Sequence, residues 1–341
     1  MAGASLWKNH PLALASPDRL LPQMPASMSF DALTCPQCGG PLPRQASWRM
    51  VACPQCRAMV TRSSRVVERR SFHEAWLRSR VVDAAGDRLL RLRGRTWRVL
   101  APLGEADGCE LLSAIACGPL PERVTIKLAR DDASALAAEA DVLARLQQLD
   151  GPSSAYFSQR LPQRVAFGTT EVFGDPREAL VMRQPVGFRV TLDDVRAHHP
   201  NGLRDPRHAV WLWRRVLEVL AYVHGAGWTH GDLRAAHLLV NPGDHGVLLV
   251  GWAGARHGGS VVRDLMQSAW TLRAVLHGDS DGPPPLGPRV PAPLADVLRL
   301  ASEDAAWCAQ QGAAGIDRQL SAAARQAFGR PQFISFNPQQ A

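Results

Sequence analysis

The stretch that decides the fold runs from Thr229 to Val240 and reads THGDLRAAHLLV. It follows a segment, Ala209 to His224, whose apolar residues recur at helical spacing. It ends in a short apolar run that is typical of a buried strand. The loop between helix and strand therefore carries His230, Asp232 and Arg234 on a structured support, and it is the candidate functional segment of the chain.

The segment that precedes this helix begins with β-forming residues, in short runs at Trp97 to Leu100, Glu110 to Cys117 and Arg123 to Leu128. An alanine-rich helical stretch follows from Asp132 to Leu149. Strands first, then mostly helices, predict an α+β fold. Further alanine-rich helices are expected between Pro293 and Phe328.

In their order and spacing these segments resemble the protein kinase superfamily. Lys127 ends a strand that reads VTIK, and Glu139 lies on the helix that follows. The His-Gly-Asp spelling of the loop resembles atypical and small-molecule kinases such as the aminoglycoside phosphotransferases. The resemblance covers about half of the chain and implies a two-lobed protein-kinase-like fold, with an N-lobe at 95–185 and a short C-lobe at 186–328.

The resemblance also implies roles for single residues. Lys127 would contact the α- and β-phosphates of ATP and pair with Glu139. Asp232 would accept the proton of an attacking hydroxyl, and Arg234 would help to hold the γ-phosphate. Taken alone, Lys127 and Glu139 also fit an ordinary solvent-facing lysine and an ordinary helix-surface glutamate.

A thin glycine pattern precedes these residues. The run LGEADGC keeps Gly104 and Gly108 as candidate cofactor-binding residues of a phosphate loop, but it fits a plain hairpin turn equally well. Glu105 and Asp107 lie where phosphates would bind, and their charge would oppose ATP.

The kinase pattern fails at two positions that would hold magnesium. His237, a further candidate cofactor-binding residue, replaces an asparagine, and an imidazole suits a hard cation poorly. The run GWA at 251–253 replaces Asp-Phe-Gly, so the principal magnesium carboxylate is missing. Because phosphoryl transfer depends on neutralising phosphate charge, we expect a pseudokinase, with Trp252 packed into the space of the adenine or the metal.

Three further landmarks fit the same resemblance. The run from Val181 to Gly187 matches the hinge whose backbone would touch an adenine. Asp264 precedes a helical run from Leu265 to Leu276 and resembles the aspartate that braces the catalytic loop, although the helix dipole alone would favour an acid there. Only about a dozen residues separate Trp252 from Asp264, so no long activation segment is expected.

An independent motif lies nearer the N-terminus. Cys35 and Cys38, and again Cys53 and Cys56, form CPQC pairs with fourteen residues between them. This spacing predicts a tetrathiolate zinc site in a zinc ribbon at 31–60, although free or disulfide-linked thiols remain an alternative. Four thiolates leave no open position for water, so the zinc is expected to be structural.

The remaining segments carry less information. We expect a disordered leader at 1–30, a basic linker at 61–94 and a disordered tail at 329–341. The net charge of +8 is concentrated in arginines between Arg62 and Arg98, which could meet an acidic protein surface or nucleic acid. A solvated, arginine-rich linker is the simpler interpretation of the same charge.

Together these features favour a cytoplasmic kinase-fold regulatory or scaffold protein that meets a protein partner through its ribbon and linker. No apolar run approaches the roughly 20 residues of a membrane span, and the cysteine usage suits a reducing compartment. The expected cofactor is structural zinc; both a nucleotide-binding pseudokinase and a scaffold that binds no ATP stay open, and magnesium binding is weakened. Two alternatives stay open: an active atypical protein or small-molecule kinase, which would recruit metal through His237, Glu105 or Asp107, and a zinc-ribbon nucleic-acid-binding protein.

Overall fold

A computed structural model describes residues 30–31, 40–42, 51–55, 57, 59–60, 66–67, 88–117, 122–151, 154–172, 175–183, 187–188, 190–278 and 286–339. Its strands are β1 Phe30–Asp31, β2 Val51–Ala52, β3 Met59–Val60, β4 Val66–Val67, β5 Leu89–Leu92, β6 Arg95–Ala106, β7 Cys109–Ala116, β8 Arg123–Ala129, β9 Gln163–Val172, β10 Asp175–Arg183, β11 Val190–Thr191, β12 Trp228–Thr229, β13 Leu238–Asn241, β14 Gly246–Leu249 and β15 Arg256–His257. Its helices are α1 Ser134–Leu146, α2 Ser154–Phe157, α3 Leu192–His198, α4 Arg207–Gly225, α5 Val261–His277, α6 Ala292–Glu303 and α7 Ala305–Phe328.

The chain divides into two compact units. The smaller one comprises Met1–Ala32 and Ser64–Val81, and its described part is the antiparallel pair of β1 and β4. The larger one comprises Leu33–Ser63 and Val82–Ala341 and holds every other element named above.

The larger unit contains a six-stranded antiparallel sheet with the strand order β5-β6-β7-β8-β10-β9. Side chains alternate between the two faces of a strand. Along β8, Val124, Ile126 and Leu128 therefore enter one apolar cluster, whereas Lys127 and Ala129 belong to the opposite face. Helix α1 packs through its buried residues, such as Leu143, into the cluster that contains Ala129. This alternation determines that Lys127 meets the helix.

The second part of the larger unit is mainly helical. Helix α4 buries an apolar stripe that packs on α5 and α7. The small sheet β11-β13-β14 and the pair β12-β15 frame the loop from His230 to Arg234. Side-chain caps fix two helix starts, since Ser260 accepts from the backbone of Arg263 and Asp304 accepts from that of Trp307.

The expected α+β class is confirmed, and the strands and long helices lie close to the predicted positions. Within the predicted basic linker, however, Leu89–Leu92 forms strand β5 and pairs with β6. The physical reason is a two-residue turn in which Arg93 and Gly94 both have positive φ, while Leu90 and Leu92 are buried.

The predicted disordered tail also differs from the structure, because residues 329–339 lie against the helical part. Phe336 is buried and packs edge-on against Trp211, and Phe333 stacks on His245. The His245 ring also bonds to the Ile334 carbonyl oxygen at 2.8 Å. Among the described helices, none is long and apolar enough to cross a membrane.

Candidate functional site

Lys127 of β8 and Glu139 of α1 form a buried ion pair. The distance from Lys127 Nζ to Glu139 Oε2 is 2.7 Å, and the two residues are 5% and 2% exposed. The alternative interpretation of two ordinary surface residues is therefore wrong. Removing one partner would leave an unpaired buried charge, so the two residues are tied to each other.

The other oxygen of Glu139 connects this pair to the segment after β14. Glu139 Oε1 accepts a hydrogen bond from the backbone N–H of Trp252 at 3.2 Å. The Trp252 side chain is fully buried, its indole N–H donates to the Leu249 carbonyl at 2.9 Å, and its ring lies 4.5 Å from that of His230. The indole is thus part of the main core. That it also plugs a nucleotide pocket stays a prediction.

Asp264 of α5 holds the loop that contains Asp232 through hydrogen bonds to the loop backbone. The backbone N–H groups of His230 and Gly231 each donate to this fully buried carboxylate at 2.7 Å. His224 of α4 lies 2.9 Å from the same group. Asp264 therefore braces the loop directly and is more than a helix-terminal acid.

Local packing explains why a histidine and a glycine, His230 and Gly231, precede Asp232 in this loop. Burial lowers the pKa of His230 to about 4, so the ring is neutral at pH 7 and donates from Nε2 to the Val250 carbonyl. Gly231 has a φ of +82°, and a Cβ there would lie 2.5 Å from the Gly254 carbonyl oxygen. This close contact explains why glycine stands between the histidine and the aspartate.

Three polar side chains of this loop lie close together, those of Asp232, Arg234 and His237. The Asp232 carboxylate is 43% exposed and lies 3.3 Å from Arg234 Nε and 3.4 Å from His237 Nδ1. His237 Nδ1 also lies 2.8 Å from the backbone oxygen of Asp232. Asp232 is thus the accessible carboxylate of the group, and the two basic residues hold it in place.

A fourth residue reaches this group from the sheet. Asp107 lies in the turn between β6 and β7, forms an ion pair with Arg234, and lies 3.2 Å from His237 Nε2 and 3.9 Å from Lys127 Nζ. The hydrogen bond with His237, assisted by the two cations, lowers the pKa of Asp107 to about 2, although partial burial acts in the opposite direction. The carboxylate is ionised and satisfied within the cleft.

The turn itself decides between the two interpretations of LGEADGC. Asp107 and Gly108 both have positive φ and join β6 and β7 as a two-residue hairpin, with Ala106 opposite Cys109. Gly104 lies within β6, beside an irregularity in the strand register. The hairpin is present, and phosphate binding by Gly104 and Gly108 stays a prediction.

The two positions that depart from the kinase pattern are packed against each other. Gly251 has a φ of +78°, and a Cβ added there would lie 2.5 Å from His237 Nε2. The backbone N–H of Val250 also donates to the His237 carbonyl at 2.9 Å. The imidazole therefore occupies the space that a side chain at position 251 would need.

Of the predicted zinc ligands, Cys53 is described, whereas Cys35, Cys38 and Cys56 lie outside the described residues. Cys53 is buried after β2, and its carbonyl accepts from the backbone N–H of Arg57 at 2.8 Å. Arg57 has a positive φ, which is typical of a tight turn. A buried thiol on such a turn fits a zinc ligand. Among all the described residues, no three His, Cys, Asp or Glu side chains are grouped as metal ligands would be.

Two other predicted features fall partly outside the described residues. Strand β10 ends at Arg183, and 184–186 of the predicted hinge are outside. Most of the linker arginines, from Arg62 to Arg80, are outside as well.

Comparison of the chain with known protein families and with curated proteins finds no match to a family and no match to a curated sequence. Its chemistry must therefore be argued from its own residues. The strongest grouping joins Lys127 and Glu139 with Asp107, Arg234 and His237 in one connected set of ion pairs, called the cleft below. The sequence pointed to four of these residues as ligands or catalysts, and to Asp107 as a charge that would oppose ATP or, in the active-kinase alternative, as a metal ligand.

Proposed function

We propose that the chain has a two-lobed protein-kinase-like fold and works as a pseudokinase, a regulatory or scaffold protein without magnesium-dependent phosphoryl transfer. Support for the fold comes from the Lys127–Glu139 pair between strand and helix and from the loop aspartate Asp232, which stands on a backbone held by Asp264. These contacts correspond to the landmarks that the sequence shares with kinases.

The observation that carries the loss of catalysis is the packing of His237 against Gly251. Magnesium prefers oxygen ligands in octahedral geometry and is held in kinases by an asparagine and an aspartate. Here the first position is an imidazole and the second has no room for a side chain. The residues present do not fit a magnesium ion, so we derive no phosphoryl-transfer step through one.

Asp107 supports the same proposal by competing for the phosphate-binding groups. Its carboxylate forms an ion pair with Arg234 and lies 3.9 Å from Lys127 Nζ, and these are the two cations that would meet phosphates in an active kinase. A nucleotide would have to displace it and would face its charge until it moved. The Asp107 carboxylate therefore occupies the positively charged groups that a nucleotide phosphate would need.

We further propose that Cys35, Cys38, Cys53 and Cys56 hold one structural zinc ion, and that the ribbon and the arginine-rich linker dock a protein partner in the cytoplasm. Support comes from the doubled CPQC motif and from the turn on which Cys53 is buried. Zinc would supply the folding energy that so small a module lacks.

A second candidate function is an active atypical kinase. The observation in its favour is the exposed Asp232 carboxylate, which stands beside an intact Lys127–Glu139 pair. Such an enzyme would need a metal held in an unusual way, and this requirement separates the two candidates.

The test is the melting temperature of the full, zinc-loaded chain with millimolar ATP, with and without magnesium. A ligand that binds only the folded state raises the melting temperature. The pseudokinase proposal predicts that magnesium adds no stabilisation. A magnesium-dependent rise that disappears in the double variant Lys127→Met/Glu139→Gln, which removes both buried charges together, would instead support the active kinase.

A further inference from the structure

A cavity of about 370 Å³ lies between α4, α7 and the turn after Cys53, and none of the residues grouped around Lys127 and Asp232 lines it. Its apolar lining includes Val210, Trp211 and Phe328. Seven arginines line it but only one carboxylate, Asp317, among the described residues; the arginines are Arg57, Arg207, Arg214, Arg215, Arg318, Arg325 and Arg330. A volume of this size suits a small molecule and is too small for a folded partner.

Four of these arginines are occupied by carboxylates. Asp317 lies 2.8 Å from Arg214 Nε and 3.5 Å from Arg57 Nη2. The other two pairs are Arg207 with Asp205 and Arg215 with Glu218. These ion pairs fix the walls of the cavity and neutralise part of its charge.

The other three arginines, Arg318, Arg325 and Arg330, are exposed, and none has a carboxylate within ion-pair distance in the part of the chain described. Arg318 and Arg325 are two helical turns apart on α7 and therefore share one face. A guanidinium offers planar paired donors that match phosphate oxygens. The cavity thus presents unneutralised donors beside an apolar wall.

The turn after Cys53 forms one wall. Gln55 Nε2 donates to the Asp244 carbonyl at 3.1 Å, and Arg215 donates to the Pro54 carbonyl. His245 stacks on Trp211 at 4.2 Å, and burial lowers its pKa to about 3, so this ring is neutral at pH 7. The positive charge of the cavity is therefore that of its arginines and is constant near neutral pH.

We propose that this cavity binds a small phosphorylated molecule of about nucleotide size. Its phosphates contact Arg318, Arg325 and Arg330, and its apolar part lies against Val210 and Phe328. The excess of arginine favours an anionic ligand, and the guanidinium donors without carboxylate partners match the oxygens of a phosphate group. The volume of the cavity limits the ligand to a small molecule. The site is separate from the Lys127 cleft and is independent of the function proposed above.

The test is isothermal titration of the full chain with pyrophosphate, with ADP and with a phosphoserine peptide. The variant Arg318→Ala/Arg325→Ala removes two donors that hold no structural ion pair among the described residues. Arg299→Ala, an exposed arginine of α6 that does not line the cavity, is the matched control. We expect pyrophosphate and ADP to bind, and the double variant to weaken both by about tenfold or more, since each charge-assisted hydrogen bond contributes appreciably.

We also expect the Arg299→Ala control and the Lys127→Met/Glu139→Gln variant to bind as the unmodified chain does. Three results would overturn the proposal: no binding at about 5 mM ligand, equal affinity in the arginine double variant, or dependence on the cleft pair instead. Tighter binding of the phosphoserine peptide than of ADP through Arg318 and Arg325 would also overturn it, because the occupant would then be a protein segment.

Discussion

Replacing Asp107 by asparagine should open the cleft to nucleotides. The substitution keeps the size of the side chain and suits the positive φ of 53° at this position, so the hairpin is retained. It removes the negative charge that pairs with Arg234 and lies 3.9 Å from Lys127 Nζ. We therefore expect the variant to bind ADP, or ATP without magnesium, more tightly than the unmodified chain.

The size of this effect follows from the geometry. Asp107 Oδ2 lies 3.9 Å from Lys127 Nζ, and two unit charges at about 4 Å interact by about 4 kcal/mol at an effective dielectric constant of about 20. Since the Asp107 side chain keeps 22% of its surface exposed, solvent screening reduces this to roughly 1–2 kcal/mol. Because about 1.4 kcal/mol corresponds to a factor of ten, the affinity should rise by about five- to thirtyfold.

The assay is isothermal titration with ADP, carried out with Arg318→Ala/Arg325→Ala in both proteins so that the arginine cavity does not contribute. The matched control is Glu105→Gln, which removes a charge from the same hairpin. Glu105 pairs with Arg130 and not with the residues of the cleft, so its effect should be less than about twofold. An unchanged affinity in Asp107→Asn, or an equal gain in the control, would refute the reasoning.

Three further predictions concern stability and metal content. Gly251→Asp should lower the free energy of unfolding, measured in urea, by about 2–4 kcal/mol, because the new Cβ would collide with the His237 ring. Adding His237→Asn should recover part of this loss. A double variant whose loss equals the sum of the two single losses would contradict this prediction. Burial lowers the pKa of His230 to about 4 and that of His245 to about 3, whereas the pKa of histidine in the unfolded chain is near 6.5. Both rings therefore contribute stability above about pH 6.5, and the melting temperature should fall as the pH drops from 6.5 towards 4. A melting temperature that stays constant over this range would count against buried neutral rings. Cys53→Ser should reduce bound zinc, measured by atomic emission, from one ion per chain to a small fraction; retention of the full ion would remove Cys53 from the ligand set.

The sequence anticipated those features of the cleft that depend on local pattern. The local pattern placed Lys127 at the end of a strand and Glu139 on the following helix, where both prove to be buried. Their selection as functional residues came from the resemblance to kinases, because the pattern alone also fitted two surface residues. Asp264 was also selected through that resemblance, since its place at the start of a helix alone could be explained by the helix dipole. The long-range contacts among these residues could be proposed only through the resemblance to kinases.

The remaining features depend on backbone geometry that the sequence does not display. The packing of Gly251 on His237 follows from a positive φ and a distance of 2.5 Å between segments fourteen residues apart. Asp107 was recognised as an unfavourable charge or a possible metal ligand, but its contact with Arg234 was missed because it crosses from the sheet to the loop. Phe336 was placed in a disordered tail, since two phenylalanines and one isoleucine in a short polar segment give no periodic signal.

The central claim, that the kinase-like cleft does not transfer phosphate, is tested most directly by radiolabelled ATP. The full chain is incubated with ATP labelled on the γ-phosphate and with magnesium or manganese, beside the variant Asp232→Asn, which alters an exposed carboxylate. The account predicts that release and transfer of phosphate by the unmodified chain do not exceed those of the variant. Turnover that Asp232→Asn abolishes would contradict it and establish the chain as an active kinase.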